Sequence, residues 1–142
     1  MRHLALTFIA CAITISIVIS GCGKSGTIIS GTVHYTDGEP LQRGTVVAEN
    51  GTSGWFGHIK DGNFIIGDTR DFGKIQEGPY KVYIANSEIT EEKNGDEIII
   101  PTVEAKYTTT ADSGWTIVVK KGMEPLEFSV ERPKTGPFAN KK

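Results

Sequence analysis

The sequence predicts an all-β domain between residues 28 and 131, and three features of the chain lead to that prediction. Short segments with apolar residues at every second position follow one another, which is the pattern of half-buried strands. Gly, Pro, Asp or Asn bounds each segment, and these residues favour turns. No stretch carries the 3.6-residue periodicity of a long amphipathic helix. This combination favours a β-sandwich or a barrel.

The first four strands are predicted from their alternation and their turns. Ile29 and Val33 fall on one face of the first segment, and Asp37-Gly38 ends it because this pair adopts positive φ at little cost. A β-prone run follows, and the next two segments flank Asp61-Gly62, a strong hairpin signal. In chain order the four segments are 28–35, 45–49, 55–60 and 63–67.

The last three predicted strands also alternate, most cleanly in residues 126–131, whereas residues 116–120 require Val118 as an outward exception. Their inward positions carry aromatic and aliphatic residues, and their outward positions are mostly polar. These segments are 79–85, 116–120 and 126–131, which brings the number of predicted strands to seven. The predicted core consists of inward residues from the seven segments: Ile29, Val33, Phe64, Tyr80, Val82, Ile84, Ile117, Phe128 and Val130.

Four further segments do not fit the strand pattern as well. Residues 86–97 are rich in carboxylates and are predicted to form a solvated, mobile loop. Residues 98–100 are three isoleucines, and because Pro101 cannot donate to a ladder they are predicted to form a short edge strand. Residues 106–114 are predicted to connect strands along the surface, and residues 132–142 to form a flexible tail.

The first 22 residues have the anatomy of an export signal. Arg2 precedes an apolar run over residues 4–19, and small residues precede Cys22. The alternative is an uncleaved transmembrane anchor, but such an anchor needs about 20 mostly apolar residues and this run is shorter. The motif Ile19-Ser20-Gly21-Cys22 resembles the lipobox of bacterial lipoproteins.

The lipobox resemblance implies cleavage of the signal peptide (residues 1–21), acylation of the Cys22 thiol and attachment to a membrane surface. Residues 22–27 would then be the lipidated cysteine and a tether, residues 28–131 the β-domain, and residues 132–142 the tail. Gly23 does not match the aspartate of an inner-membrane retention signal. The outer membrane is therefore the expected location if the cell is Gram-negative.

Charge and composition argue against several classes of function. The mature chain would have 14 basic and 17 acidic residues, a net charge of −3, and no basic patch for nucleic acid. With Cys22 acylated it would have no free thiol. Its two histidines, His34 and His58, lie on different segments and face away from the predicted core, and there is no dense cluster of metal ligands. We therefore expect no enzyme activity, no metal and no cofactor.

Several turn-and-strand motifs resemble one bacterial family. They are Ser30-Gly31-Thr32-Val33-His34-Tyr35, Asp61-Gly62-Asn63-Phe64, Glu77-Gly78-Pro79-Tyr80 and Ser113-Gly114-Trp115-Thr116. Together they resemble small envelope lipoproteins with a carboxypeptidase-regulatory-like domain, of the planctomycete type. The resemblance covers about residues 28–130 and implies a transthyretin-like (prealbumin-like), seven-stranded Greek-key β-sandwich. It implies almost nothing about molecular function.

Two hypotheses for function remain open. The first is a non-enzymatic structural or protein-interaction role in the cell envelope, in which the edge strand at residues 98–100 pairs with another protein chain. The second is a module that binds carbohydrate or peptide through the loop aromatics Trp55, Phe56 and Trp115, since flat apolar rings can stack on a ligand. These aromatics would alternatively pack over an open end of the sandwich. The expected partners are the membrane, through Cys22, and an envelope protein or polysaccharide.

Overall fold

The computed structural model describes residues 26–67 and 75–139 of the 142-residue chain. Strands account for 52% of the structure and helix for 4%, which confirms the all-β prediction. The predicted lipidation site Cys22, the signal peptide and most of the tether lie outside the described residues. The strands are β1 (Ile29–Tyr35), β2 (Arg43–Glu49), β3 (Gly54–Lys60), β4 (Asn63–Ile66), β5 (Gly78–Ala85), β6 (Ile89–Lys93), β7 (Asp96–Ile100), β8 (Trp115–Val119) and β9 (Leu126–Val130), with a 3-10 turn at Ala105–Thr108.

Seven of these strands form one curled, mixed sheet in the order β8-β5-β2-β3-β4-β1-β9. Neighbouring strands are antiparallel, except that β1 and β9 run parallel, with Val33 opposite Phe128. The β3–β4 connection differs from the others because these strands share a single residue pair, Lys60 and Asn63, beside the Asp61-Gly62 turn. In the strand order, four strands lie on the β3 side of this pair and three on the β4 side.

Two glycines permit close approaches between strands. A Cβ atom at Gly57 in β3 would lie 2.7 Å from the carbonyl carbon of Ile65 in β4 and nearer still to its oxygen. A Cβ atom at Gly31 in β1 would lie 2.6 Å from Cζ of Phe64, whose ring covers that position. Such distances are too short for real side chains, so glycine is required by contact at both positions.

The core lies on the concave face of the curled sheet, and all nine predicted core residues are buried there. The prediction succeeds because inward and outward residues alternate along the strands that supply the core. All seven predicted strands are present, with bounds that differ by no more than two residues. Ten further buried apolar residues complete the core: Tyr35, Leu41, Val46, Ala48, Ile59, Ile66, Ile75, Val103, Tyr107 and Val119.

The prediction of a loop over residues 86–97 is wrong. This stretch contains β6 and the start of β7, which pair with each other as a separate two-stranded sheet. The turn is Asn94-Gly95, and both residues have positive φ (59° and 87°), as a tight two-residue hairpin requires. Residues 98–100 do form a strand, as predicted, but they pair with β6 and not with the large sheet.

Residues 101–114, which we call the closing segment, cover the gap between β8 and β9, the two outermost strands of the large sheet. The Tyr107 ring stacks on Trp115 at 5.1 Å between centroids, and Trp115 in turn lies 4.6 Å from Phe128 of β9. The backbone N–H of Glu104 donates to the carbonyl of Glu131 at 3.1 Å. Tyr107 is buried, so the predicted surface connection over residues 106–114 is wrong at this position.

Candidate functional site

The most distinctive surface of the domain is the acidic hairpin, which we define as residues 89–100 in strands β6 and β7. Within the described part of the chain it pairs with no strand of the large sheet. Two of its isoleucines are exposed, Ile98 by 39% and Ile99 by 69%. A two-stranded hairpin is at best marginally stable in water on its own. The hairpin therefore depends on the contacts at its base.

Those contacts form a buried polar cluster, which we call the base lock: Tyr35, Ser87 and Thr102. Ser87 and Thr102 precede and follow the hairpin, and both are buried. The Thr102 hydroxyl donates to the Ser87 carbonyl and so ties together the two segments that enter and leave the hairpin. The Tyr35 hydroxyl donates to the Thr102 carbonyl at 3.0 Å. The base of the hairpin is thereby fixed to strand β1.

Arg132 extends this arrangement on the other side of Tyr35. Its guanidinium carbon lies 3.8 Å from the centroid of the Tyr35 ring, a cation–π contact. Nε donates to Asp37 at 2.8 Å and Nη2 donates to Glu39 at 2.7 Å. The Arg132 side chain is only 10% exposed. Although residues 132–142 are predicted to be a flexible tail, Arg132 at the start of that range is held firmly by the turn after β1.

The electrostatics of the cluster follow from these contacts. Burial raises the pKa of the Tyr35 hydroxyl above its usual value, so this group stays protonated and donates to Thr102 at neutral pH. The hydrogen bond from Arg132 lowers the pKa of Asp37, which keeps its carboxylate charged. Both groups are therefore in the ionisation state that their hydrogen bonds require.

A cleft of about 430 Å³ opens beside the base of the hairpin. Its apolar wall includes Leu41, Ile89 and Phe138, and its polar wall includes Glu39 and Arg132. These two charged groups already bind each other across 2.7 Å. The cleft therefore adjoins the base lock, and two of its charged side chains, Glu39 and Arg132, already pair with each other.

The three aromatics predicted as a ligand site do not come together on one surface. Trp55 packs against the core, and its indole N–H is buried without a hydrogen-bond partner. Trp115 also packs against the core, stacked between Tyr107 and Phe128. Phe56 follows Trp55 directly in β3 and so points to the opposite face of the sheet. Trp55 and Trp115 share one cross-strand row, in the order Trp55, Ala48, Val82 and Trp115.

The two histidines of the domain lie on outward positions of different strands. His34 Nε2 is 3.6 Å from Glu127 on β9, and His58 Nδ1 is 3.2 Å from the Thr45 hydroxyl on β2. The Phe56 ring meets the His58 ring edge-on at 5.6 Å. Among the described residues, no group of three or more His, Cys, Asp or Glu side chains is placed to hold a metal ion. No described helix is long and apolar enough to cross a membrane.

Comparisons with protein-family models, with curated proteins and with solved structures find no match to this chain. The assignment of the candidate site therefore rests on the geometry of the domain itself. Sequence reasoning missed the hairpin and its lock for different reasons. The hairpin had a readable signal in Asn94-Gly95. The lock joins Tyr35 to Thr102, which is 67 positions further along the chain, and nothing local in the sequence marks such a contact.

Proposed function

We propose that this chain is a lipid-anchored protein of the cell envelope with a non-enzymatic, protein-interaction role, and that the acidic hairpin is its contact with the partner. The proposal is carried by one combination: exposed isoleucines on a hairpin that pairs with no other described strand, and a buried base lock beneath that hairpin. The hairpin projects from the domain, yet its base is held by buried hydrogen bonds.

The exposed isoleucines favour a contact over a purely structural role. Natural proteins shield the edges of their sheets with charges, proline or covering loops, because bare edges pair with other chains. Ile98 and Ile99 in β7 leave apolar surface in water at such an edge. Addition of a partner strand is a common way in which an exposed edge binds another protein. The apolar edge of β7, on a hairpin whose base is fixed by hydrogen bonds, is suited to the addition of a partner strand.

We further infer that the large sheet is a transthyretin-like Greek-key β-sandwich. In this interpretation β8-β5-β2-β3 form one layer and β4-β1-β9 form the other, and the β3–β4 turn is the corner between them. The single residue pair between β3 and β4 supports this view. So does the contact between the Trp115 ring and the Phe128 ring, since their strands lie at opposite ends of the strand order.

The location of the protein at a membrane surface is proposed from the lipobox resemblance alone. Acylation of Cys22 would hold the domain at a membrane surface, because each buried methylene contributes about 0.8 kcal/mol and two or more acyl chains give durable anchoring. Residues 22–27 would be the connection to the first strand. A protein anchored in this way meets other envelope proteins at high local concentration, which suits a short strand-addition surface.

The proposal is tested by affinity capture from native envelope with matched variants. The test variant replaces Ile98 and Ile99 by serine. The control variant replaces Ile28 and Ile65 by serine, since these residues are exposed to a similar degree (50% and 49%) on another part of the surface. Wild type and control should capture the same envelope protein, and the test variant should lose it. Equal capture by all three chains would contradict the proposal.

A further inference from the structure

We propose that the partner segment is a cationic extended strand that adds to the outer edge of β7, which pairs with no other strand in the described part of the chain. This inference rests on the proposed function of the acidic hairpin as a protein contact. It specifies which edge of the hairpin is used and the charge of the segment that binds there. The observations that carry it are the hydrogen-bond register of the hairpin, the distribution of apolar residues between its strands, and its net charge.

The register fixes which backbone groups are available. Lys93 and Asp96 flank the two-residue turn Asn94-Gly95 and pair with each other. In such a hairpin the flanking residues exchange both hydrogen bonds, and bonded pairs alternate with non-bonded pairs along the strands. Glu97 and Ile99 consequently belong to non-bonded pairs. Their N–H and C=O groups point away from β6, toward the position of an added strand.

The two edges of the hairpin differ in their suitability for a partner. Strand β6 carries Glu91, Glu92 and Lys93 among its five residues, the kind of charged edge that resists pairing. Strand β7 ends in three consecutive isoleucines. Pro101 follows them and cannot donate a backbone hydrogen bond, so the usable edge of β7 is about five residues long. We therefore assign the docking edge to β7.

The charge of the hairpin selects the partner. Residues 89–100 contain four carboxylates and one lysine, a net charge of −3, which equals the net charge of the whole mature chain. Glu92 and Glu97 lie directly opposite each other across the two strands, an arrangement of like charges that is unfavourable. A lysine or arginine placed beside Glu97 by an added strand would relieve this repulsion. A second copy of the hairpin would instead place a net charge of −3 beside the net charge of −3 on the first copy. Electrostatic repulsion therefore disfavours self-pairing.

The test uses three fluorescent peptides of about ten residues and the full-length chain in non-ionic detergent. The first peptide alternates lysine and valine, the second alternates glutamate and valine, and the third is the lysine peptide with alternate valines replaced by proline. Proline keeps the charge but removes backbone donors. Fluorescence anisotropy should show that the first peptide binds at least about tenfold more tightly than either of the others. Similar binding by the proline peptide, or no binding by the lysine peptide, would overturn the inference.

A matched pair of variants locates the edge. Ile99→Pro removes an outward N–H from β7, and Thr90→Pro removes the corresponding outward N–H from β6, since Thr90 and Ile99 are paired. Ile99→Pro should abolish peptide binding and Thr90→Pro should retain it. Glu97→Gln, which leaves the backbone unchanged, should weaken binding of the lysine peptide severalfold. Equal losses in the two proline variants would refute the assignment to β7.

The two proposals fail separately. If the lysine peptide does not bind, but capture from native envelope still depends on Ile98 and Ile99, the hairpin is a protein contact and the inferred partner chemistry is wrong. If capture does not depend on these isoleucines, the proposed function itself is wrong.

Discussion

The contact at Gly31 allows a sharp prediction about the packing of the domain. In Gly31→Ala the new Cβ would lie 2.6 Å from Cζ and 2.8 Å from Cε1 of Phe64, and closer still to the backbone oxygen of Leu126. The Phe64 ring is buried and stacks on Phe128 at 5.9 Å, so it has little room to move. The Leu126 oxygen belongs to the neighbouring strand β9, and moving it would disturb the parallel β1–β9 pairing.

The size of the effect follows from these contacts. Overpacking of a buried site costs about 1–3 kcal/mol. Because one of the atoms in the way is backbone, we expect a loss near 3 kcal/mol in the free energy of unfolding. For a domain of this size that loss corresponds to a decrease in Tm of roughly 10 °C. Urea and thermal unfolding, followed by circular dichroism, would measure both quantities.

Gly54→Ala is the matched control. A Cβ at Gly54 meets no atom within 4 Å, and Gly54 does not have positive φ. This substitution should change the free energy of unfolding by less than about 0.5 kcal/mol, or stabilise slightly by restricting the unfolded chain. If Gly31→Ala behaved like Gly54→Ala, the position of the Phe64 ring over β1 would be wrong.

Three further predictions concern the base lock, the ion pair between Arg132 and Asp37, and the lipid anchor. Tyr35→Phe removes the hydrogen bond to the Thr102 carbonyl, so the free energy of unfolding should decrease by about 1–2 kcal/mol. Hydrogen exchange of the hairpin amides should become faster. Unchanged exchange would show that the base lock does not hold the hairpin. Because Arg132 lowers the pKa of Asp37 below its ordinary 3.8, their pairing stabilises the fold above that value and is lost as pH falls through the lowered pKa. Arg132→Ala should therefore lower stability at neutral pH and flatten its dependence on pH below about 4, whereas an unchanged acid titration of stability would contradict the pairing. Mass spectrometry of the membrane fraction should show a chain that begins at Cys22 and carries the added mass of acyl groups. The Cys22→Ser variant should lack that added mass. A wild-type chain that retains residues 1–21 would contradict lipidation.

The sequence predicts the large sheet well because local alternation is the dominant signal there. Residues such as Phe128 and Val130 lie between polar neighbours in the sequence. Because only one face of the strand is buried, shifting its pairing register by one residue would expose these apolar side chains. Prediction fails at residues 86–97 because β6 and most of β7 are exposed on both faces, so no apolar period develops. In that stretch Asn94-Gly95 was the more informative feature, and the high charge obscured it.

The candidate site was predicted only in part. Composition and Pro101 predict an edge strand over the three isoleucines at residues 98–100, and the structure has a strand there. The contacts of Arg132 with Tyr35, Asp37 and Glu39 connect residues more than 90 positions apart. Such contacts depend on how the last strand returns beside the first, and no local pattern in the sequence indicates that arrangement. Trp115 was ambiguous for the same reason, because its neighbours Tyr107 and Phe128 come from two other parts of the chain.

Site-specific photo-crosslinking in intact cells would show whether the acidic hairpin touches another envelope protein. A photoreactive side chain is placed at position 99 in one chain and at position 65 in the other, since both native isoleucines are exposed and lie on different elements. The proposal predicts a covalent adduct with a distinct envelope protein from position 99 and none from position 65. Adducts of equal yield from both positions, or none from position 99, would contradict it.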